Sequence, residues 1–148
     1  MLYPLSYEGG ERRNRTRRRY DLSMALSVLV VDDDPVILRL LQVNFELEGI
    51  GVATAVDGEE GLKMAQADPP DLVISDIMMP KVNGLELLAA LRSNPDTAAM
   101  PVILLSAKAQ VADVQRGLEL GADDYITKPF DPLELIDRIY KVLAKSRR

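Results

Sequence analysis

From Met24 onward, short Val/Ile/Leu runs alternate with longer segments whose apolar residues recur every three or four positions. Runs of four or five apolar residues without internal alternation are the pattern of strands buried on both faces, and the 3–4 period is that of amphipathic helices. The pattern predicts strands at Ser27–Val31, Gly51–Ala55, Asp71–Ser75, Pro101–Leu105 and Asp124–Ile126. Between them it predicts helices at Pro35–Glu48, Gly58–Ala67, Gly84–Arg92, Gln110–Leu120 and Pro132–Lys145. The punctuation agrees. Gly49 and Gly121 follow two helices as C-terminal stops, Pro69-Pro70 and Asn94-Pro95 end two others, and Asp57 and Asp131 stand as N-caps. Pro132 sits at a first helical position, where its missing N–H costs nothing. Asn83-Gly84 reads as a turn with positive φ at the glycine.

Strand and helix alternate five times, and each connection is long enough for a helical crossover. The expected class is therefore α/β: a doubly wound five-stranded parallel sheet with five helices on its two sides. In such sheets the chemistry lies outside the carboxyl ends of the strands. Reading along that rim gives Asp32, Asp33 and Asp34 after the first strand, Asp76 after the third, Ser106 after the fourth and Lys128 two residues beyond the fifth.

Composition narrows the chemistry. The 148 residues contain neither Cys nor His, so disulfides, thiolate nucleophiles, His bases and His- or Cys-ligated metals are excluded. Clustered carboxylates must take up a proton or share a cation, and oxygen ligands alone select a hard ion, with Mg²⁺ the best match to one or two carboxylates. Asp76 at the sheet's centre could then attack phosphorus, with Lys128 as a point charge and Ser106 as a hydroxyl donor to the phosphoryl oxygens. No general base is needed. Taken singly, each residue has an ordinary structural role: Asp32–Asp34 as a helix cap with solvated neighbours, Ser106 as a strand end, Lys128 as a surface charge and Tyr125 as a core-edge aromatic.

Charge divides the chain. Residues 1–23 hold six arginines against Glu8, Glu11 and Asp21, a net +3 that leaves −8 for residues 24–148. The first 23 residues are expected to be an Arg-rich, disordered extension ahead of one domain at 24–148. The overall charge of −5 argues against duplex DNA as a partner of the whole surface, though the Arg run could meet nucleic acid or anionic lipid. No apolar run approaches a membrane span and no secretory signal precedes the domain, so the expected compartment is the cytoplasm.

Four blocks now carry a specific resemblance: Val30-Val31-Asp32-Asp33-Asp34-Pro35, Asp76-Ile77-Met78-Met79-Pro80 with Gly84 eight residues after Asp76, Leu105-Ser106-Ala107, and Thr127-Lys128-Pro129-Phe130. In that order, with gaps of 43, 30 and 22 residues between Asp33, Asp76, Ser106 and Lys128, residues 26–145 resemble the receiver domain of two-component response regulators. The resemblance implies the flavodoxin-like strand order 2-1-3-4-5, for which a receiver is a standard example. It implies that Asp76 accepts phosphate from a histidine kinase or phosphotransfer protein. Asp33 would bind Mg²⁺ directly, Asp32 mostly through metal-bound water, and Asp76 and the Met78 carbonyl would complete the protein ligands. Ser106 and Lys128 would contact the phosphoryl group, Lys128-Pro129 would be cis, and Ser106 with Tyr125 would form the switch. The face made by helix 110–120, strand 124–126 and helix 132–145 would meet a downstream partner or a second copy.

The reading is a self-phosphorylating and autodephosphorylating module with no independent substrate turnover, a borderline case for the word enzyme. An Mg²⁺-dependent aspartyl phosphatase is the catalytic alternative, but it wants an acid two residues after Asp76, where Met78 stands. A flavodoxin-type carrier would need a Ser/Thr/Gly-rich phosphate loop in place of Asp32–Asp34, and a pseudo-receiver would not need the complete acidic set. After Lys145 only Ser146-Arg147-Arg148 remain, so the chain is read as a stand-alone regulator or as the receiver of a longer protein.

Overall fold

A computed structural model describes residues 26–107 and 110–146. The proposed Arg-rich extension lies outside them. The chain runs β1 (Ser27–Val31), α1 (Pro35–Leu47), β2 (Gly51–Ala55), α2 (Gly58–Ala67), β3 (Leu72–Asp76), α3 (Gly84–Ser93), β4 (Val102–Ser106), α4 (Val111–Glu119), β5 (Asp124–Thr127) and α5 (Pro132–Ser146). The sheet order is β2-β1-β3-β4-β5, and every neighbouring pair is parallel. Among the described residues no helix is long and apolar enough to cross a membrane.

The apolar strand runs divide their side chains between two cores, as a period of two requires. Val28, Val30, Ile74, Ile103 and Leu105 pack with Leu41 and Phe45 of α1 and Leu135 and Ile139 of α5. Leu29, Val31, Val73 and Leu104 turn the other way, onto Ala65 of α2, Leu87, Leu88 and Leu91 of α3 and Val114 of α4. A sheet covered on both faces has no use for polar alternation, which is why these strands read as continuous hydrophobic runs. Each of those large aliphatic side chains contributes roughly 1.5–3 kcal/mol by leaving water.

Local chemistry fixes the boundaries. Asp34 caps α1 by accepting from the Val36 amide, Asp57 caps α2 by accepting from Glu60, and the Asp131 carboxylate accepts from Leu133 at the start of α5. Gly49 and Gly121 take positive φ (84° and 105°) after α1 and α4, where a side chain would be strained. Three expectations need correction. Asp76 and Ser106 are the last residues of β3 and β4 and still pair in the ladder, and β5 runs through Thr127, so Lys128 follows it directly. Gly84 has no positive φ. Asn83 instead caps α3 in a reciprocal box with Glu86, and the left-handed residue of this loop is Lys81, at φ 65°. The glycine at 84 is required by proximity: a Cβ there would lie 2.2 Å from the Asp76 carbonyl oxygen.

Candidate functional site

The parallel register brings the expected rim residues to one place. Val31 pairs with Ser75, so Asp32, just past β1, stands beside Asp76 at the end of β3. Asp76 pairs with Leu105, which sets Ser106 one step further along β4, and Ser106 pairs with Thr127, which delivers Lys128. The Lys128 amide donates to the Ser106 carbonyl at 2.7 Å, and the Lys128-Pro129 peptide is cis.

Asp32 is fully buried and its carboxylate is held at both ends. Oδ1 accepts from the Asp34 amide at 2.9 Å, and Oδ2 accepts from Lys128 Nζ at 3.0 Å. The same ammonium lies 3.2 Å from Asp76 Oδ2. Asp76 is buried, Asp33 is exposed, and Asp32, Asp33 and Asp76 each offer an oxygen within 4.8 Å of the other two. This is a group able to hold a metal ion.

The electrostatics follow from that crowding. Burial raises the Asp76 pKa above its usual carboxylate value, the nearby Asp32 charge raises it further, and Lys128 and the Ile77 amide draw it part of the way back. Burial alone would lower Lys128, but its hydrogen bond and attraction to Asp32, with a smaller share from Asp76, outweigh that and raise it. One ammonium pairs with two of the three clustered carboxylates, so the pocket is rich in anionic oxygens of the kind a hard divalent cation takes as ligands. Ser106, the last residue of β4, is buried at the same edge of the sheet.

Two of the expected residues lie outside this cluster of side chains. The Met78 side chain is largely exposed. Tyr125 lies on the outer strand β5 and is partly exposed. Its carbonyl accepts from Arg138 of α5 at 2.9 Å, and Arg138 also binds both oxygens of Asp124 at 3.1 Å.

Sequence reading missed Lys81 and Arg92. Lys81 Nζ lies 3.7 Å from Asp57 and 3.9 Å from Glu59, tying the β3–α3 loop to the start of α2. Arg92 of α3 donates to the carbonyls of Gly121 and Met100, both at 2.7 Å at the shortest, and pairs with Asp123. A lysine with positive φ and an arginine bonded to carbonyls far along the chain have no local signature.

The doubly wound parallel sheet carries an acidic pocket and a lysine at its carboxyl edge, and comparison with known proteins identifies the class. The model of the response regulator receiver domain matches residues 28–140, and the chain belongs to that family. It is 46% identical over 123 residues to the alkaline phosphatase synthesis transcriptional regulatory protein PhoP of Bacillus subtilis, covering 83% of this chain and 50% of that one. It is also 46% identical over 119 residues to the transcriptional regulatory protein CpxR of Escherichia coli, covering 80% and 50%. The chain thus spans about half the length of the curated relatives it matches. Among solved structures, the chemotaxis response regulator CheY4 of Vibrio cholerae superposes with a TM-score of 0.76 at 32% identity, covering 80% of this chain and 99% of that one. A CheY-like receiver domain protein of Methanospirillum hungatei gives 0.78 at 31%, covering 83% and 97%. The fold and the two-component receiver class read from the sequence are both borne out, and the phosphatase and pseudo-receiver alternatives are not favoured.

Proposed function

We propose that this receiver takes a phosphoryl group onto Asp76 from a histidine kinase or phosphotransfer protein and loses it again by slow hydrolysis. The observation that carries the reading is the Lys128 ammonium set between two buried carboxylates, 3.0 Å from Asp32 and 3.2 Å from Asp76, with Asp33 at the mouth. An Asp76 oxygen attacks phosphorus, the bond from phosphorus to the donor nitrogen breaks, and the donor imidazole leaves. Phosphoryl transfer asks little of the protein beyond alignment and neutralisation of charge on the equatorial oxygens. Lys128 supplies one positive contact and the Ser106 hydroxyl a donor.

Asp33, Asp76, the Met78 carbonyl and, through water, Asp32 would hold Mg²⁺. Such an ion would supply positive charge to offset the carboxylates and the phosphoryl oxygens. Lys128 moves from bridging two carboxylates toward the new anion, whose charge of about −1.5 to −2 at pH 7 is the largest in the pocket. Ser106 and Tyr125 then act as the switch, and the α4–β5–α5 face passes the change to a downstream protein or a second copy. The cytosol, where phosphorylated donors are replenished, is the compartment this requires. Residues 1–23 stand apart from this activity as an Arg-rich extension, and deleting them should leave phosphorylation unchanged.

The test is incubation with acetyl phosphate and Mg²⁺. One base-labile phosphoryl mass per chain is expected, absent in Asp76→Asn and after chelation. Labelling that persists in either condition would overturn the assignment.

A further inference from the structure

The loop between β3 and α3 carries Met78 and is tied down by backbone at its two ends. The Gly84 amide donates to the Ile77 carbonyl at 2.8 Å, and the Val82 carbonyl accepts from the Gly58 amide at 3.0 Å. Between these ties no hydrogen bond among the described residues holds the backbone of Met78, Met79, Pro80 or Lys81. Met79 packs against the core shared with α2 and α3, and the other tether is the Lys81 ammonium, 3.7 Å from Asp57 Oδ2 and 3.9 Å from Glu59 Oε1. Glycines aside, Lys81 alone among the described residues has positive φ, a conformation that costs a residue bearing a Cβ. Strained backbone of this kind persists where its surroundings over-determine it, and it gathers at functional sites. Asp57 is a firm anchor: its Oδ1 accepts from the Glu60 amide as the cap of α2, its side chain is nearly buried, and Oδ2 is left for Lys81. Two residues before it, the Ala55 carbonyl accepts from the Asp32 amide at 3.1 Å, which joins the anchor to the acidic pocket.

We propose that Lys81 is a positioning residue for the metal: held by Asp57 and Glu59, it fixes the stretch from Met78 to Lys81 and so presents the Met78 carbonyl to Mg²⁺. The role rests on reading Asp33, Asp76 and the Met78 carbonyl as the Mg²⁺ ligands. The sign of the effect separates positioning from plain electrostatics. Lys81 adds positive charge beside an acidic pocket, so if charge alone counted, removing the ammonium would tighten Mg²⁺ binding. If Lys81 positions the carbonyl, removing it weakens binding.

Mg²⁺ titration of the full chain, followed by the amide chemical shifts of Asp32, Asp33 and Asp76, reads this without phosphorylation. Lys81→Met should weaken binding by about fivefold, the scale of one partly exposed ion pair, and Lys81→Arg should stay within about twofold. Lys81→Gly relieves the backbone while losing the anchor, so it should melt within about 2 °C of the wild type yet bind as weakly as Lys81→Met. Asp57→Asn keeps the capping oxygen and removes the charge, and combined with Lys81→Met it should bind little more weakly than either single variant. Binding unchanged or tightened in Lys81→Met, losses that add in the double variant, or weakened binding in Lys81→Gly that tracks a lowered melting temperature would each overturn the positioning role and leave phosphorylation of Asp76 standing. A wild type whose Asp32, Asp33 and Asp76 amides do not respond to Mg²⁺ would overturn both.

Discussion

Lys128 Nζ stands 3.0 Å from Asp32 Oδ2 and 3.2 Å from Asp76 Oδ2, so one cation compensates two carboxylates that come from different strands. Removing it strands both. Lys128→Met should cost about 3 kcal/mol in metal-free buffer, within the range for breaking a buried pair, and Mg²⁺ should return part of that loss. Because the folded-state pKa of Lys128 lies above its ordinary 10.5, its contribution is complete below that pH and disappears as the pH rises through the folded value. Urea denaturation with and without Mg²⁺ checks the first point. An unchanged midpoint would show that Lys128 compensates nothing.

Asp76 behaves in the opposite sense to a stabilised carboxylate. Its folded pKa is raised above 3.8, first by burial and then by Asp32, so the folded state holds this proton more tightly than the unfolded chain does. Its contribution to stability is therefore present at low pH and is lost as the pH climbs from 3.8 through the folded value. Asp76→Asn should be more stable than the wild type at pH 7 in chelator by about 1 kcal/mol, a few degrees in melting temperature, with the gap closing toward pH 4. Melting curves across that interval read it directly.

The geometry of the pocket depends on Gly84 lying close to the backbone of Asp76. A Cβ at 84 would meet the Asp76 carbonyl oxygen at 2.2 Å and the Ile77 Cα at 2.9 Å, and neither is the yielding end of a side chain. Gly84→Ala should cost about 2–3 kcal/mol and depress phosphorylation. Gly51→Ala, whose Cβ would sit 3.4 Å from the Leu26 carbonyl oxygen, is the matched control and should do neither.

Arg92 serves structure without touching the pocket. Its bonds to the Gly121 carbonyl and to Asp123 tie α3 to the turn before β5, and its bond to the Met100 carbonyl ties it to the segment before β4. Arg92→Met should cost about 1–2 kcal/mol and speed amide exchange around Ala122–Asp124, while phosphorylation by acetyl phosphate stays within about twofold.

Much of this molecule could be read from its sequence, for physical reasons that differ from residue to residue. The strands were legible because double-sided burial forbids polar positions, and the helices because Leu41, Phe45, Leu88 and Leu91 fall on inward faces. Asp32, Asp76 and Lys128 could be placed together because a parallel sheet sends successive strand ends to one rim. Resolution failed at single residues. Whether Asp76 and Ser106 end a strand or follow one depends on a ladder pairing that no side chain announces. The turn assigned to Gly84 went to Lys81 because Asn83 found Glu86 three residues on and became a helix cap. The bonds of Arg92 to Gly121 and Met100 arise only once the chain has closed.

The central claim is that Asp76 itself becomes the anhydride. Borohydride reduction after labelling with acetyl phosphate and Mg²⁺ converts an aspartyl phosphate to homoserine, which peptide mass spectrometry places in the sequence. The account predicts homoserine at position 76 and nowhere else; homoserine at Asp32, Asp33 or Asp57, or none in protein that has taken up phosphate, would contradict it.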